Sequence, residues 1–343
     1  MPTANPLVGL DDIRAARERT AGRVHRTPLL SSTTAARFIA DSGGPRLADG
    51  RLYLKAEHLQ KTGSFKPRGM VNRIATLTPD ERARGAITMS AGNAGQAYAW
   101  AGREAGVPIT VVMPSGANPS KVAACRGYGA EVVLGGQDVG DAFRELERIR
   151  DARGLTFVHP FNDHAVIAGD GTAGLEILDD LPEVDVVVVG IGGGGLISGV
   201  AAAIKERRPA TRVFGVEADG ADAMTRAFAA GHPVEIQPNS VADGLGAPFA
   251  GDLTLAMCQR YLEGIVLLDD ATILGGLRFA LERTKQVLEP AGAAALAAVL
   301  FGRIPIADGE RVVVVASGGN VDVTRVGELL AAAAPVPGVI AAG

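Results

Sequence analysis

The chain has 343 residues, enough for two modest domains or one large α/β unit with a sizeable core. Hydrophobic residues make up 47% and charged residues 21%, which excludes disordered and fibrous classes. The net charge of −4 gives no footprint for nucleic acid or an anionic membrane surface.

Short β-branched runs at 51–56, 85–89, 109–113, 130–134, 184–189, 212–217, 264–268 and 311–316 predict strands. Apolar, Ala-rich stretches of helical period fall between them, among them 94–105, 138–150, 196–207 and 321–333. This alternation predicts parallel βαβ units. The run Val186–Val189 is apolar at every position, as a central strand covered on both faces requires. The stretch 78–160 holds three strand–helix units and could form a compact subdomain. The tail 331–343, rich in Ala, Pro and Gly, reads as frayed, with no appended regulatory domain after residue 320. Residues 1–14 lack the apolar core of a signal peptide, and no run nears the ~20 residues of a membrane span. Cys125 and Cys258 form neither a disulfide framework nor a zinc pattern. A reducing cytoplasm is the expected compartment.

In open α/β sheets ligands sit beyond the carboxyl ends of strands, so the turns after strands carry the chemistry. Gly190-Ile191-Gly192-Gly193-Gly194-Gly195 follows the Val186–Val189 run and precedes a predicted helix. Bare glycines at a helix N-terminus let backbone N–H groups converge on a phosphate. The same stretch matches G-x-G-x-x-G, with Glu217 near the end of the next strand, so a dinucleotide remains a rival guest. Ser90-Ala91-Gly92-Asn93-Ala94 follows the strand at 85–89 and offers free N–H groups to a carboxylate, and Asn93 both donates and accepts. Ser317-Gly318-Gly319-Asn320 follows the last strand. Six lysines stand among 34 basic residues. Lys66, within Gly63-Ser64-Phe65-Lys66-Pro67-Arg68-Gly69, is distinctive. Ser64 as N-cap and Pro67 in the first turn would set Lys66 at the positive end of a helix, which favours the neutral, nucleophilic amine. The five histidines are scattered, and H-E-x-x-H and P-loop patterns are absent.

Together these motifs resemble the fold-type II enzymes that use pyridoxal 5′-phosphate, and within them the serine/threonine dehydratase and serine racemase family. The resemblance runs from Arg26-Thr27-Pro28-Leu29 to Val321-Asp322. It also includes Lys55-Ala56-Glu57, Ala242-Asp243-Gly244 and Glu289-Pro290. It implies an α/β fold of two open, mostly parallel twisted sheets flanked by helices, like the tryptophan synthase β-subunit. Residues 1–77 and 162–343 would form a large cofactor-binding domain, and 78–161 a small domain closing over the substrate. The resemblance makes Lys66 the Schiff-base lysine, with Phe65 against the cofactor ring and Asn93 on its 3′-oxygen. Gly192, Gly193, Gly194, Gly195 and Leu196 would cradle the phosphate. Ser317 would face the pyridine nitrogen, and Gly244 and Glu289 would line the pocket. The loop Ser90, Ala91, Gly92, Asn93 and Ala94 would take the substrate carboxylate.

The implied reaction is elimination of water from a β-hydroxy-α-amino acid such as L-threonine or L-serine, giving a 2-oxo acid and ammonia. The racemases of this family carry a serine where Ala91 stands, which favours elimination over racemisation. Ala94 replaces a histidine found in many dehydratases and could admit a bulkier substrate such as phenylserine. A divalent cation is expected only with Glu217 as anchor and the Ala221 carbonyl, because the third family position is Ala223. A homodimer is the expected assembly.

Overall fold

The computed structural model describes residues 7–336. Residues 337–343 of the tail and the first six residues, on which two of the expectations above partly rest, lie outside them. The N-terminal segment runs α1 (Leu10–Thr20), β1 (Leu29–Ser32), α2 (Thr33–Asp41), β2 (Leu52–Lys55), α3 (Pro67–Ala75) and α4 (Pro79–Arg84). A middle segment follows: β3 (Ala86–Met89), α5 (Asn93–Ala105), β4 (Ile109–Met113), α6 (Pro119–Gly127), β5 (Glu131–Leu134), α7 (Val139–Arg153) and β6 (Thr156–Phe157). The rest runs α8 (His164–Asp170), α9 (Thr172–Asp180), β7 (Val186–Gly190), α10 (Gly195–Arg207), β8 (Arg212–Ala218), α11 (Ala223–Ala230) and α12 (Asp252–Tyr261). It ends with β9 (Gly264–Leu268), α13 (Asp270–Phe279), α14 (Pro290–Leu300), β10 (Val312–Val315) and α15 (Val326–Ala331).

These strands form two sheets. The larger has the order β1-β2-β10-β7-β8-β9 and is parallel except for β1, which pairs antiparallel with β2. The smaller has the order β5-β4-β3-β6 and is parallel throughout. This is the expected α/β architecture of two mostly parallel sheets.

Val186 to Val189 are all fully buried, and they divide by parity. Val186 and Val188 join a cluster with α13 and α14, while Val187 and Val189 join one with α9 and α10. A two-sided apolar strand packed between helix layers on both faces is the physical reason for the uninterrupted valine run.

Every strand expected from the sequence is present within one or two residues of its predicted bounds. Strands β1 and β6 were not expected; both are short, and β1 follows Pro28 without an alternating pattern. The helix expected over 321–333 is much shorter: a single 3-10 turn at Val323–Arg325 precedes α15.

Candidate active site

The turns after β2, β3, β7 and β10 meet beyond the carboxyl ends of their strands. The chain leaving β2 first makes two 3-10 turns, at Glu57–Leu59 and Lys61–Gly63. Ser64 is then extended, with φ −159° and ψ 165°, and bridges to Gly318, while the Phe65 N–H donates to the Ser317 carbonyl at 3.0 Å. Ser64 is therefore not the helix N-cap expected from the sequence: its backbone is held straight by the turn after β10. The N-cap is Lys66 itself, with Pro67 at the first helical position as expected. Lys66 is thus set at the positive end of α3 by pairing with a segment some 250 residues away, a cause no local pattern reveals.

The Lys66 amine donates to the Pro160 carbonyl at 2.8 Å and lies 4.9 Å from the Phe65 ring centre. Burial pulls this amine below the usual lysine range, and only Asp170 acts against the shift. The segment His159-Pro160-Phe161 that receives Lys66 is fixed from three directions. Tyr98 donates its hydroxyl to the His159 carbonyl at 2.9 Å. His159 Nδ1 accepts from the Phe161 and Asn162 N–H groups, and burial pushes this imidazole down to about 4, so it stays neutral. Phe161 packs against Phe249 and against the glycine turn.

That turn lies between β7 and α10. A Cβ on Gly193 would fall 2.3 Å from the Phe161 ring, and one on Gly194 would fall 2.6 Å from Met224 Cε. Gly194 also has φ +92°, which disfavours any side chain. Thr254 Oγ1 donates to the Gly193 carbonyl at 2.8 Å and keeps that carbonyl turned away. The first N–H groups of α10, from Gly195 and Leu196, then have no carbonyl behind them in the helix. Glycine here is required by close packing, and the turn ends on the free N–H groups that open α10.

The other side is polar. Asn93, the first residue of α5, donates to Glu289 Oε1 at 2.7 Å and accepts from Asn320 Nδ2 at 2.9 Å. Asn320 also donates to the Thr62 carbonyl at 2.8 Å. Burial first, and Asp243 second, push the Glu289 carboxyl up to about 7. The Glu289 N–H donates to the Gly318 carbonyl at 3.1 Å. A Cβ on Gly244 would meet Glu289 Oε1, and one on Gly192 would meet the Gly244 carbonyl at 3.0 Å. The contacts close into a ring running Lys66, Pro160, Phe161, Gly193, Gly192, Gly244, Glu289, Asn93, Asn320 and back through Thr62. Ser317, whose carbonyl accepts the Phe65 N–H, is largely buried.

The loop Ser90–Asn93 is half-buried beside this ring. Ser90 Oγ accepts the Gly92 N–H at 3.2 Å, which engages it in its own turn. Ala94 is buried and packs with the apolar cluster around Met70, Tyr98 and Val111, so it belongs to the smaller sheet's core.

The structure lends the expected cation site no support. Glu217 Oε1 accepts the Met224 N–H at 2.8 Å, and Oε2 accepts the Thr225 N–H at 2.9 Å and its hydroxyl at 2.6 Å. This carboxylate is the N-terminal cap of α11, both oxygens are engaged, and Ala221 beside it is buried. No group of three or more His, Cys, Asp or Glu side chains among the described residues is arranged to hold a metal ion.

Three features have weaker sequence signals. The Pro160 carbonyl and the Phe161 ring belong to a segment whose histidine reads as an ordinary core residue. Asp170 gives no signal beyond an acid inside an apolar stretch. A buried cluster also lies directly beneath Lys66. Arg68 binds Glu57 bidentately at 2.7 and 2.8 Å and Glu176 at 2.7 and 2.8 Å, while Lys55 donates to Glu176 at 2.5 Å and to the Thr27 carbonyl at 2.7 Å. The motifs Lys55-Ala56-Glu57 and Lys66-Pro67-Arg68 are two halves of this one cluster.

Residues 22–318 match the family model described as pyridoxal-phosphate dependent enzyme. The chain is 41% identical over 325 residues to the L-threonine ammonia-lyase of Thermotoga maritima, covering 94% of this chain and 78% of that one. It is 38% identical over 324 residues to the catabolic L-threonine dehydratase of Escherichia coli K12, covering 94% and 96%. Among solved structures, maize serine racemase superposes with a TM-score of 0.87 at 35% identity, covering 94% of this chain and 97% of that one. The T.th. threonine deaminase superposes at 0.82 with 39% identity, covering 92% and 99%. The glycine turn thus belongs with a pyridoxal-phosphate fold, and the dinucleotide alternative falls away. The chain is a member of the pyridoxal-phosphate dependent enzymes of fold type II, in the serine/threonine dehydratase group.

Proposed function

We propose that this enzyme removes water from L-threonine or L-serine, and that the released enamine hydrolyses to a 2-oxo acid and ammonia. The observation that carries the reading is the ring itself. One partly buried amine, an anion cradle at a helix N-terminus and the Asn93–Glu289 pair surround one space.

The residues present fit pyridoxal phosphate. The cradle at Gly192–Leu196 suits its phosphate, because any Cβ at Gly193 or Gly194 would fill the turn. Lys66 would hold its aldehyde carbon, and Phe65 would pack on its ring. Asn93 would bond the 3′-oxygen, Ser317 would face the ring nitrogen, and Gly244 and Glu289 would line the pocket. Ser64 Oγ is buried there without a partner among the described residues. When bound, pyridoxal phosphate supplies an electron sink for the charge left when the substrate's α-proton departs.

The protein's own groups do the rest. The N–H groups around Ser90, Ala91, Gly92, Asn93 and Ala94 would bind the substrate carboxylate and fix the α-carbon in front of Lys66. Burial pulls the Lys66 amine toward its neutral form, the form that can accept the α-proton. Ser317 offers a hydroxyl and no charge to the ring nitrogen, which suits elimination better than transamination.

Racemisation has support from the superposition on serine racemases. It requires a second proton donor on the face opposite Lys66. Ala91 has no proton to give, and Ser90 stands one residue earlier, where an extended segment would turn its side chain the other way. Elimination is therefore the favoured outcome. Ala94 is packed in a core and supports small substrates more than phenylserine.

Residues 78–161 are proposed to act as the small domain that closes over the substrate, against a large domain of 1–77 and 162–343. The Lys121–Asp243 ion pair, which bridges the cleft from α6, suits that role. We also place the enzyme in the cytoplasm as a homodimer; no described helix is long and apolar enough to cross a membrane.

The test is chemical. Borohydride reduction of the purified holoenzyme should fix the cofactor on the peptide containing Lys66. Lys66→Ala should abolish that adduct and lower kcat by about 10³-fold or more. An adduct on another lysine, or none, contradicts the assignment.

A further inference from the structure

The N-cap position of α3 is held by Lys66, whose side chain has no acceptor to offer the helix's free N–H groups. No side chain from Lys66 or its neighbours takes up that duty. The acceptor comes from another helix. Asp170, the last residue of α8, accepts the Gly69 N–H at 3.1 Å through Oδ1, and Gly69 stands at the third helical position of α3. That is the donor an N-cap side chain ordinarily satisfies. The two helices approach closely enough to permit this only because both carry glycine at the crossing. A Cβ on Gly69 would lie 2.7 Å from Asp170 Oδ1, and one on Gly169 would lie 2.3 Å from the Arg68 carbonyl.

The carboxyl is otherwise isolated. Asp170 is fully buried, and its Oδ2 has no hydrogen-bond partner among the described residues. Such an atom is costly unless it answers an electrostatic need. Four groups act on Asp170 or feel its charge: Lys66 and Arg68 at the start of α3, Glu57 before it, and Tyr98 on α5. On the remaining sides Ile13 of α1 and the backbone of Gly199 on α10 meet the adjacent Gly171. Arg68 is already bound to both Glu57 and Glu176, so its charge is answered elsewhere. Tyr98 is neutral and donates to His159. Lys66 is the remaining charge, and its own hydrogen bond goes to a neutral carbonyl.

We propose that Asp170 is a positioning residue that caps the lysine-bearing helix from α8 and, when ionised, favours the proton that Lys66 takes up during turnover. The inference rests on Lys66 being the reactive lysine. Burial pushes the Asp170 carboxyl up to about 8, with Lys66 the largest influence against that rise. Each of the two groups therefore biases whether the other is protonated. With Asp170 ionised, the Lys66 ammonium is favoured; without it, the amine form gains.

Asp170→Asn separates the two roles, because an amide oxygen can still accept from Gly69 while the charge is gone. The full-length protein, freed of cofactor with hydroxylamine, is pulse-labelled with acetic anhydride over a pH series, and acetylation of Lys66 is read by peptide mass spectrometry. The midpoint for Lys66 should fall by about one pH unit in the variant. The acid limb of the holoenzyme's kcat–pH profile should move in the same direction. An unchanged Lys66 midpoint in folded Asp170→Asn overturns the proposal. If that variant does not fold, Asp170→Ser, also neutral and able to accept, is read in the same way. Failure of the underlying assignment is separate: borohydride would then mark a lysine other than Lys66 in the wild type, whatever residue 170 is.

Discussion

At the scale of single residues, the site depends on charges that the protein keeps out of water. Arg68 is fully buried with two carboxylates, and its guanidinium is held well above its ordinary range because Glu57 and Glu176 outweigh the cost of burial. The Glu57 carboxyl stays below its usual range for the reciprocal reason: Arg68 and Lys55 overcome desolvation. Two cations and two anions thus balance beneath the helix that presents Lys66. Removing one cation leaves carboxylates buried without their counter-charge, so Arg68→Met should cost about 3–5 kcal/mol in urea unfolding. A loss under about 1 kcal/mol would show that the cluster is replaceable. Lys66→Arg is no substitute for the native lysine, since an arginine at this position would stay charged.

At the scale of elements, the ends of helices do the positioning. Three of them face carboxylates from outside the helix. Asp170 caps α3, Asp163 caps α8 through two N–H groups, and Glu217 caps α11 through Met224 and Thr225. Asp163 is paired with Arg73, whereas Glu217 has no ion-pair partner among the described residues, and burial pushes its carboxyl up to about 7. A folded-state value above the unfolded one means the native state binds the extra proton. Stability from this group is therefore full below the unfolded value near 4.5 and is lost as pH rises through about 7. Its size is about 3 kcal/mol over that window. Glu217→Gln should flatten this part of the pH dependence of the urea midpoint. An unchanged slope in the variant would remove Glu217 as its source.

At the scale of the whole molecule, the site is made where two sheets and four strand-end turns converge. Much of this was legible in the sequence. The strands announced themselves by β-branched runs, and the parallel class followed from their alternation with helices. The glycine turn, Lys66, Asn93 and the turn at Ser317 were all visible because each departs from what an ordinary turn requires. What the sequence concealed depends on contacts between distant segments. Ser64 reads as a helix cap until Gly318 holds it extended. Glu217 gives no sign in the sequence that it caps α11. The receptor for the Lys66 amine is a backbone carbonyl, at Pro160, which no residue type announces. Asp170 and Arg68 likewise acquire meaning only when α8 and α9 are laid against α3.

The most direct measurement is the visible spectrum of the purified holoenzyme before and after L-threonine, with 2-oxo acid followed in the same cuvette and D-isomers in the product. The expected result is a cofactor band that shifts on addition, steady 2-oxo acid formation from L-threonine or L-serine, and negligible D-serine. A shifted band with sustained D-serine and little 2-oxo acid would contradict elimination as the function. A protein that pyridoxal phosphate cannot colour would contradict the reading of the whole site.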